Sequence, residues 1–554
     1  MNPLILKGIR ERLRIKHLIA SALFSLIITT TLYLSTYLNG MQERRHYDFA
    51  TKQSSIIEEN PINGARNAFT YLLGFQGFLL MFLGTGRVAS VTAEEKENGL
   101  LDYQRMTPMN PFSKINGYLF GLPAREYFMF LLTLPFLFHC VIVGKIPWLN
   151  VLHLYLVFFS SVILYHLTAH VIGLVVPRPR AASWVSRISV LGLYVFLPGL
   201  GQVGVSFLSF LTILPTYFGK ILPNLLSVGE TNLGRFEAKA ADFWQNVPFF
   251  NFTISPSTFT FFMQGWIILT LSVTAYRKWR NDTLPAFSKS SGFILFGIFQ
   301  FLLLGSLWAF FSEGKANGLL GDTFSTKEAA MFGAGKQTLI LVLTIFFGLS
   351  LAAILCLVNI CCPNLHLHLK GNQRSRMLNL KKIPFLADES SGFGFVSILS
   401  ILTILVYSCF LTLGFNSDIW KLAAPSLQSL FLPFLLIFCT SVYLQAAREQ
   451  WFNLGFWGFL GLLWITPLLT SLVLLIGWQK DFTDFILKLL SLNPISWFPM
   501  HLMIEYSDRT HLSHILSEDL LEAQWFGIYT ALIFAIFLQT RLYITRKKRK
   551  SLRL

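Results

Sequence analysis

The sequence predicts an all-α fold, a polytopic transmembrane helix bundle of about twelve spans. Of its 554 residues, 53% are hydrophobic and only 13% are charged, against about 25% charged in soluble domains. Twelve stretches are apolar over about 20 residues, which is the length needed to cross the hydrocarbon core of a bilayer. No other segment is long enough to form a soluble catalytic domain.

The twelve predicted spans follow one another along the chain. The first six are expected near residues 18–38, 68–91, 118–143, 151–176, 188–213 and 258–276, and the second six near 292–311, 338–361, 394–415, 424–445, 453–477 and 525–545. The first is interpreted as an uncleaved span, because it is too long for the apolar region of a signal peptide. All six cysteines lie in or beside apolar stretches, so no disulfide framework is expected.

The net charge of +17 would suggest a nucleic-acid partner in a soluble protein. Here the Lys and Arg residues lie mostly between spans, which indicates contact with anionic membrane lipids and no nucleic acid. With the N-terminus placed in the cytoplasm, 27 of them lie in cytoplasmic connections and 15 in outer ones. This bias predicts a multi-pass protein of the plasma or inner membrane with both termini cytoplasmic.

The chain divides into two halves with the same plan of spans and loops. The polar and basic segment 277–291 contains Pro285 and is the predicted boundary. Residues 1–285 then form one six-span half, and residues 286–554 form a second, more divergent half. This plan indicates a six-plus-six parallel repeat.

The loop after the second span, residues 92–120, has the strongest local signals. Thr92 with Glu95 three positions later has the pattern of a capping box, which predicts that a short helix begins there. Glu94 and Glu97 would then lie near the positive N-terminal end of that helix.

The end of this short helix and the start of the next one are also marked. Thr107-Pro108 predicts the end, because proline disfavours helical geometry at the residue before it. Asn110-Pro111 predicts an N-cap and a first helical position at the start of the third span. The apolar side chains of the short helix expected to face the membrane or the bundle are Leu100, Leu101 and Met106.

The loop has an acidic-basic-acidic cluster, a glycine, an amphipathic turn and Thr-Pro; the residues are Glu95, Lys96, Glu97, Gly99, Thr107, Pro108, Ile115 and Gly117. With these residues the loop resembles that of the membrane subunits of type-two ABC transporters. The resemblance covers about residues 1–285 and implies a coupling helix that sits in a groove on an ATPase subunit. Two departures affect the geometry of coupling: Leu100 replaces the usual threonine, and the lysine that commonly follows the glycine at 117 is missing.

The resemblance implies that the chain is a permease subunit, of exporter type, of an ATP-binding cassette transporter. The residues implied to couple to the ATPase are Glu94, Glu95, Lys96, Glu97, Gly99, Leu100, Leu101, Thr107 and Pro108. Gly333–Thr338 has the wrong spacing for a phosphate-binding loop. The chain is therefore expected to be no enzyme and to hold no cofactor, with ATP and Mg²⁺ on a partner ATPase. Either one chain or a pair with a second permease chain could serve two ATPase copies.

Polar groups inside spans are candidates for a transport pathway or for hydrogen bonds between helices. They are Arg87, Arg125, Glu126, His166 and His170. No catalytic residue and no metal site is expected among them. The corresponding loop of the second half, residues 361–391, is basic and lacks the acidic-glycine-Thr-Pro pattern.

Two other classes of function stay open at this stage. A gradient-driven secondary transporter usually places acids at mid-membrane, and few are found there. A membrane-embedded lipid-modifying enzyme or a scaffold would also fit an apolar bundle, although no nucleophile with a base stands out. The sequence does not define a substrate.

Overall fold

The chain is a multi-pass, all-α membrane protein. The computed structural model describes residues 2–48, 53–202, 205–225, 244–245, 247–281, 285–313, 334–380, 382–417, 420, 422, 424–451, 453–477, 483–506 and 514–551. Within these residues, twelve helices are long and apolar enough to cross a membrane. The predicted polytopic helix bundle is thereby confirmed.

Two compact units make up the fold. The first consists of Met1–Pro248 with Phe252–Thr283, and the second of Phe249–Asn251 with Leu284–Leu554. Each unit holds six of the candidate spans.

Unit 1 is built around six long helices. Its helices are α1 (Pro3–Arg12), α2 (Ile15–Met41), α3 (Pro61–Glu97), α4 (Leu100–Met106), α5 (Pro111–Gly121), α6 (Ala124–Val143), α7 (Trp148–Val175), α8 (Pro179–Gln202) and α9 (Pro256–Arg280). A short hairpin, Gln42–Asp48 with Gln53–Glu59, precedes α3, and two short strands, Val247–Phe249 and Phe252–Ile254, precede α9 in the chain. Short helical turns between Ser206 and Leu225 follow α8.

Unit 2 follows a similar order. Its helices are α10 (Lys289–Glu313), α11 (Ala334–Cys361), α12 (Leu365–Met377), α13 (Phe393–Asn416), α14 (Leu427–Gln450), α15 (Asn453–Leu460), α16 (Thr466–Gly477), α17 (Thr483–Ser491), α18 (Pro494–Tyr506) and α19 (His514–Ser551). The π-helical turn Gly461–Ile465 joins α15 to α16, so that together they form one span.

Several spans differ in their bounds from the prediction. The second span is the whole of α3, because helical structure extends beyond the apolar stretch at both ends and includes a π-helical segment, Phe78–Gly84. The third span is shorter than predicted, since α5 ends at Gly121 and a separate helix, α6, crosses the membrane. The hydropathy of the sequence alone does not predict where tertiary packing extends a helix or interrupts it.

Buried polar side chains join the spans inside each unit. In unit 1 the amide of Gln76 on α3 donates to Thr133 Oγ1 on α6 at 2.7 Å. In unit 2 the amide of Gln300 on α10 donates to Ser350 Oγ on α11 at 3.0 Å. Such bonds hold apolar helices together where the surrounding lipid is as apolar as their side chains.

Helix α1 is packed against α5 at a point where both backbones are close. A Cβ atom at Gly8 would lie 2.4 Å from the carbonyl oxygen of Gly121. Only glycine permits this approach. The contact places Lys7 of α1 beside the end of α3.

Candidate coupling site

The end of α3 forms the first part of the site. Helix α3 continues to Glu97, so Thr92 lies inside it, and the predicted capping box at Thr92 and Glu95 is wrong. The helix continues because its last turns are held by tertiary contacts: Ala93 is buried, and Thr92 Oγ1 lies 3.1 Å from Nδ1 of His170. Glu94 and its neighbouring acids thus lie at the negative, C-terminal end of a helix.

Gly99 makes the turn from α3 into α4. It has a φ of 72°, in the left-handed region, which favours glycine. Its carbonyl oxygen accepts from the backbone N–H groups of Asp102 and Tyr103 at 3.2 and 3.4 Å, which starts α4 at Leu100. A Cβ atom at Gly99 would meet no atom of the described residues within 4 Å, so glycine is favoured here by the backbone conformation and not by close packing.

Gly99→Ala is therefore expected to destabilise the turn by about 1 kcal/mol through backbone strain alone. Gly99→Asn is the matched control, because asparagine tolerates the left-handed region better than alanine. The measurement is cleavage of residues 97–100 by a protease added to the folded chain. Faster cleavage is expected for the alanine variant than for the asparagine variant, and equal rates would contradict this account.

Helix α4 ends where the sequence predicted. Thr107 is extended, with φ −70° and ψ 143°, and its hydroxyl donates to the carbonyl oxygen of Gln104 at 2.7 Å. The buried ammonium of Lys114 donates to the same oxygen at 2.6 Å and to that of Thr107 at 3.2 Å. The predicted N-cap is confirmed, since Asn110 Oδ1 accepts from the N–H of Phe112 at 3.0 Å, but the helix that begins there is α5 and not the third span, which is α6. Lys114 thus ties the end of α4 to α5.

Glu95 is turned into the loop. Its carboxylate accepts from the hydroxyl of Tyr118, from the amide of Gln104 at 3.3 Å and from the ammonium of Lys7 at 3.3 Å. Burial, and then the charge of Glu95, raise the pKa of Tyr118 well above its ordinary value, so this phenol stays a donor at any physiological pH. The contacts of Glu95 therefore join α3 to α1, α4 and α5.

Two cations tie the loop to the ends of other spans. Lys96 Nζ donates to the carbonyl oxygen of Leu174, near the end of α7, at 2.5 Å. Arg105 of α4 donates to the carbonyl oxygens of Trp279 and Lys278, at the end of α9, at 3.1 Å each. Cations are favourable at helix C-termini, where the last carbonyl groups lack helical partners.

A buried chain of hydrogen bonds continues from α9 back to α3. The indole N–H of Trp279 donates to Nε2 of His170 at 2.9 Å. Because Nε2 accepts, the proton of this imidazole is assigned to Nδ1, which faces Thr92 Oγ1 at 3.1 Å. Helices α3, α7 and α9 are thereby joined within a few turns of α4.

Trp279→Phe is expected to lower the free energy of unfolding by about 1–3 kcal/mol, because it leaves a buried His170 nitrogen without its donor. Trp266→Phe, on the same helix, makes the same change at an indole nitrogen that has no hydrogen-bond partner among the described residues. Thermal unfolding of both variants in detergent is the measurement. A smaller loss of stability in the Trp279 variant than in the Trp266 variant would contradict the proposed chain of hydrogen bonds.

The remaining face of α4 is apolar and open. Leu100, Tyr103 and Met106 lie at helical spacing and are 44%, 67% and 77% exposed. Leu101 faces the other way and is 1% exposed, in a cluster with side chains of α5, α7 and α9. The exposed acids around this open face are Glu94, Glu97 and Asp102.

The polar groups predicted inside spans are not brought together into one site. His166 Nε2 lies 3.0 Å from the carbonyl oxygen of Leu80, in the π-helical segment of α3. Arg125 pairs with the buried Glu126 at 3.1 Å, and Arg87 is half-buried on α3. In the described part of the chain, no group of three or more His, Cys, Asp or Glu side chains could hold a metal ion.

A cavity of about 510 Å³ lies in unit 1 between α3, α8 and the turns that follow α8. Its lining includes Phe78 and Met81 of the π-helical segment, Tyr194 of α8 and Tyr217. Apolar pockets of this size accept small organic ligands, and π-helical segments are frequent at functional sites.

Comparison with protein-family models, with curated proteins and with solved structures found no match to this chain. The site is therefore defined by its own geometry. Sequence reasoning did not identify Lys7, Gln104, Lys114, Tyr118 or Trp279 as parts of it. Lys7, Tyr118 and Trp279 meet partners that are distant along the chain, and no local pattern marks such pairs. Gln104 and Lys114 have partners within the loop, which the turns of the loop bring together.

Proposed function

We propose that this chain is the membrane-spanning permease subunit of an ATP-binding cassette exporter and works with a separate ATPase. The observation that supports the proposal best is α4, a short helix whose free face is apolar and rimmed by acids. Apolar and aromatic anchors surrounded by polar groups are typical of protein interfaces. The partner surface is then an apolar groove with basic residues at its edges.

The bonds around α4 provide the mechanical link. When the ATPase dimer closes on ATP and Mg²⁺, it displaces α4, and the contacts of Glu95, Lys96 and Arg105 pass the displacement to α3, α7 and α9. Helix α3 also lines the apolar cavity, so the same displacement reaches a place where an apolar substrate fits. ATP binding at the partner is then coupled to the packing of the spans.

The proposal includes the orientation of the chain. Both termini and α4 lie on the cytoplasmic side of a plasma or inner membrane, where ATP is available, in agreement with the distribution of Lys and Arg. A second permease chain would present a second α4 to the other ATPase copy.

Co-purification tests the proposal directly. The full chain is tagged, extracted from its native membrane in mild detergent, and the proteins present in stoichiometric amount are identified. An ATPase with a phosphate-binding loop is the expected result. An intact, monodisperse chain without any ATPase would overturn the proposal and favour a gradient-driven transporter.

A further inference from the structure

The loop after the eighth span, in unit 2, has a surface opposite in charge to that of α4. It contains α12 and the segment that leads to α13. Its exposed cations are Lys370, Arg374, Arg376 and Lys382, and its exposed large apolar side chains are Met377, Leu378, Leu380, Phe385 and Leu386. The apolar side chains are 45% to 84% exposed, so about half or more of the surface of each one is open.

A buried lysine holds this loop at the start of the seventh span. Lys289, the first residue of α10, is 1% exposed. Its ammonium donates to the carbonyl oxygens of Ala387 and Ser390 at 3.2 and 2.5 Å. A cation buried among carbonyl oxygens is costly to displace, so the segment has a defined depth at one end of the spans.

The position of Phe385 indicates the depth of this segment. Its ring stacks on Phe293, four residues into α10, with 6.2 Å between ring centroids. Even so, 48% of Phe385 and 52% of Leu386 are exposed. Apolar side chains at the level of the first turn of a span lie where the acyl chains meet the headgroups.

We propose that the surface from Arg374 to Leu386 binds the anionic surface of the bilayer. Arg376 and Lys382 contact phosphate groups of acidic lipids, while Leu378, Leu386 and Phe385 enter the boundary below them. Basic and apolar side chains in alternation at the end of a span are suited to this role. Glu389 lies 3.7 Å from Arg374 and offsets its charge, so the proposed phosphate contacts are those of Arg376 and Lys382.

Charge argues for lipid over a protein partner. The groove that would complement α4 is basic at its edges, and a similar groove would be repelled by this loop. Lipid binding itself does not depend on the proposed function. The two loops would then have different roles, one for a protein partner and one for the bilayer.

The test uses the full chain in nanodiscs with no ATPase present, so its outcome is separate from that of the proposed function. Hydrogen exchange of residues 374–386 is measured in phosphatidylcholine and at increasing fractions of phosphatidylglycerol. Protection that rises with phosphatidylglycerol is expected. Arg376→Gln with Lys382→Gln should weaken binding of this surface to phosphatidylglycerol about 30-fold, since each such cation contributes about five-fold to the affinity.

Lys547→Gln with Lys548→Gln is the control. It removes two cations of α19 and should leave the protection of residues 374–386 by phosphatidylglycerol unchanged.

A second variant separates the bilayer from a free anion. Leu378→Ser with Leu380→Ser keeps the cations and is expected to lose protection in phosphatidylglycerol. Glycerol phosphate added to nanodiscs of phosphatidylcholine should not protect residues 374–386 from hydrogen exchange. Equal protection in the two lipids, or protection by glycerol phosphate in nanodiscs of phosphatidylcholine, would each overturn the proposal.

Discussion

Tyr103→Asp combined with Met106→Asp is expected to abolish co-purification of the ATPase while leaving the chain folded in the membrane. The two side chains are the most exposed apolar groups of α4, at 67% and 77%. Central apolar anchors of an interface contribute about 2 kcal/mol or more each, so the loss of both weakens association by roughly 1,000-fold. The new carboxylates would also have to be desolvated in an apolar groove.

The fold should tolerate this change. Neither side chain belongs to the cluster that holds Leu101 against α5, α7 and α9. Surface substitutions away from caps and buried contacts usually change stability by less than about 0.5 kcal/mol. Expression level and elution volume in detergent therefore report folding separately from association with the ATPase.

Met377→Asp with Leu378→Asp is the matched control in unit 2. These side chains are 84% and 60% exposed, at the end of α12. The control should keep the proposed ATPase partner, because the proposal assigns docking to α4 and not to the basic loop. If the Tyr103 and Met106 variant still bound the ATPase fully, or if only the control lost it, the docking surface would have to lie elsewhere.

The sequence predicted the spans far better than the site. Hydropathy alone found the twelve spans, since a helix that crosses lipid must be apolar over its whole length. Local rules for proline and asparagine found the end of α4 at Thr107 and the cap at Asn110. These signals depend on residues next to one another in the chain.

The same local rules failed at Thr92 and Glu95. A threonine followed by glutamate is compatible with a helix start, but burial of Ala93 and the contact between Thr92 and His170 keep α3 helical there. The partners of Glu95 also come from distant positions, such as Lys7 and Tyr118. Packing between helices determines both the helical conformation at Thr92 and the partners of Glu95. A single sequence contains no local signal for such packing.

Glu449→Ala is expected to destabilise unit 2 strongly. The side chain of Glu449, near the end of α14, has 0% exposure and pairs with Arg546 of α19. The guanidinium donates from Nε at 2.9 Å, and the amide of Gln445 donates to the second carboxylate oxygen at 2.8 Å. All of these donors lose their acceptor in the variant.

The expected size of the destabilisation follows from the loss of this acceptor. Removing one partner of a buried ion pair costs about 3–5 kcal/mol, because the other charge is left uncompensated. For a unit of this size, such a loss lowers the midpoint of thermal unfolding by about 10 °C. Unfolding in detergent, followed by the far-ultraviolet circular dichroism of the helices, measures it.

Two further variants show whether the pair itself is responsible. Glu449→Gln with Arg546→Gln removes both charges and should recover most of the lost stability, since the main penalty of the single variant is an unpaired cation. Lys488→Ala breaks the contacts of a lysine at the protein surface, 30% exposed, with Asp484 and Glu522, and should leave the midpoint nearly unchanged. Equal losses in the single and double variants would mean that Glu449 acts through packing, and that α14 and α19 are held together without the ion pair.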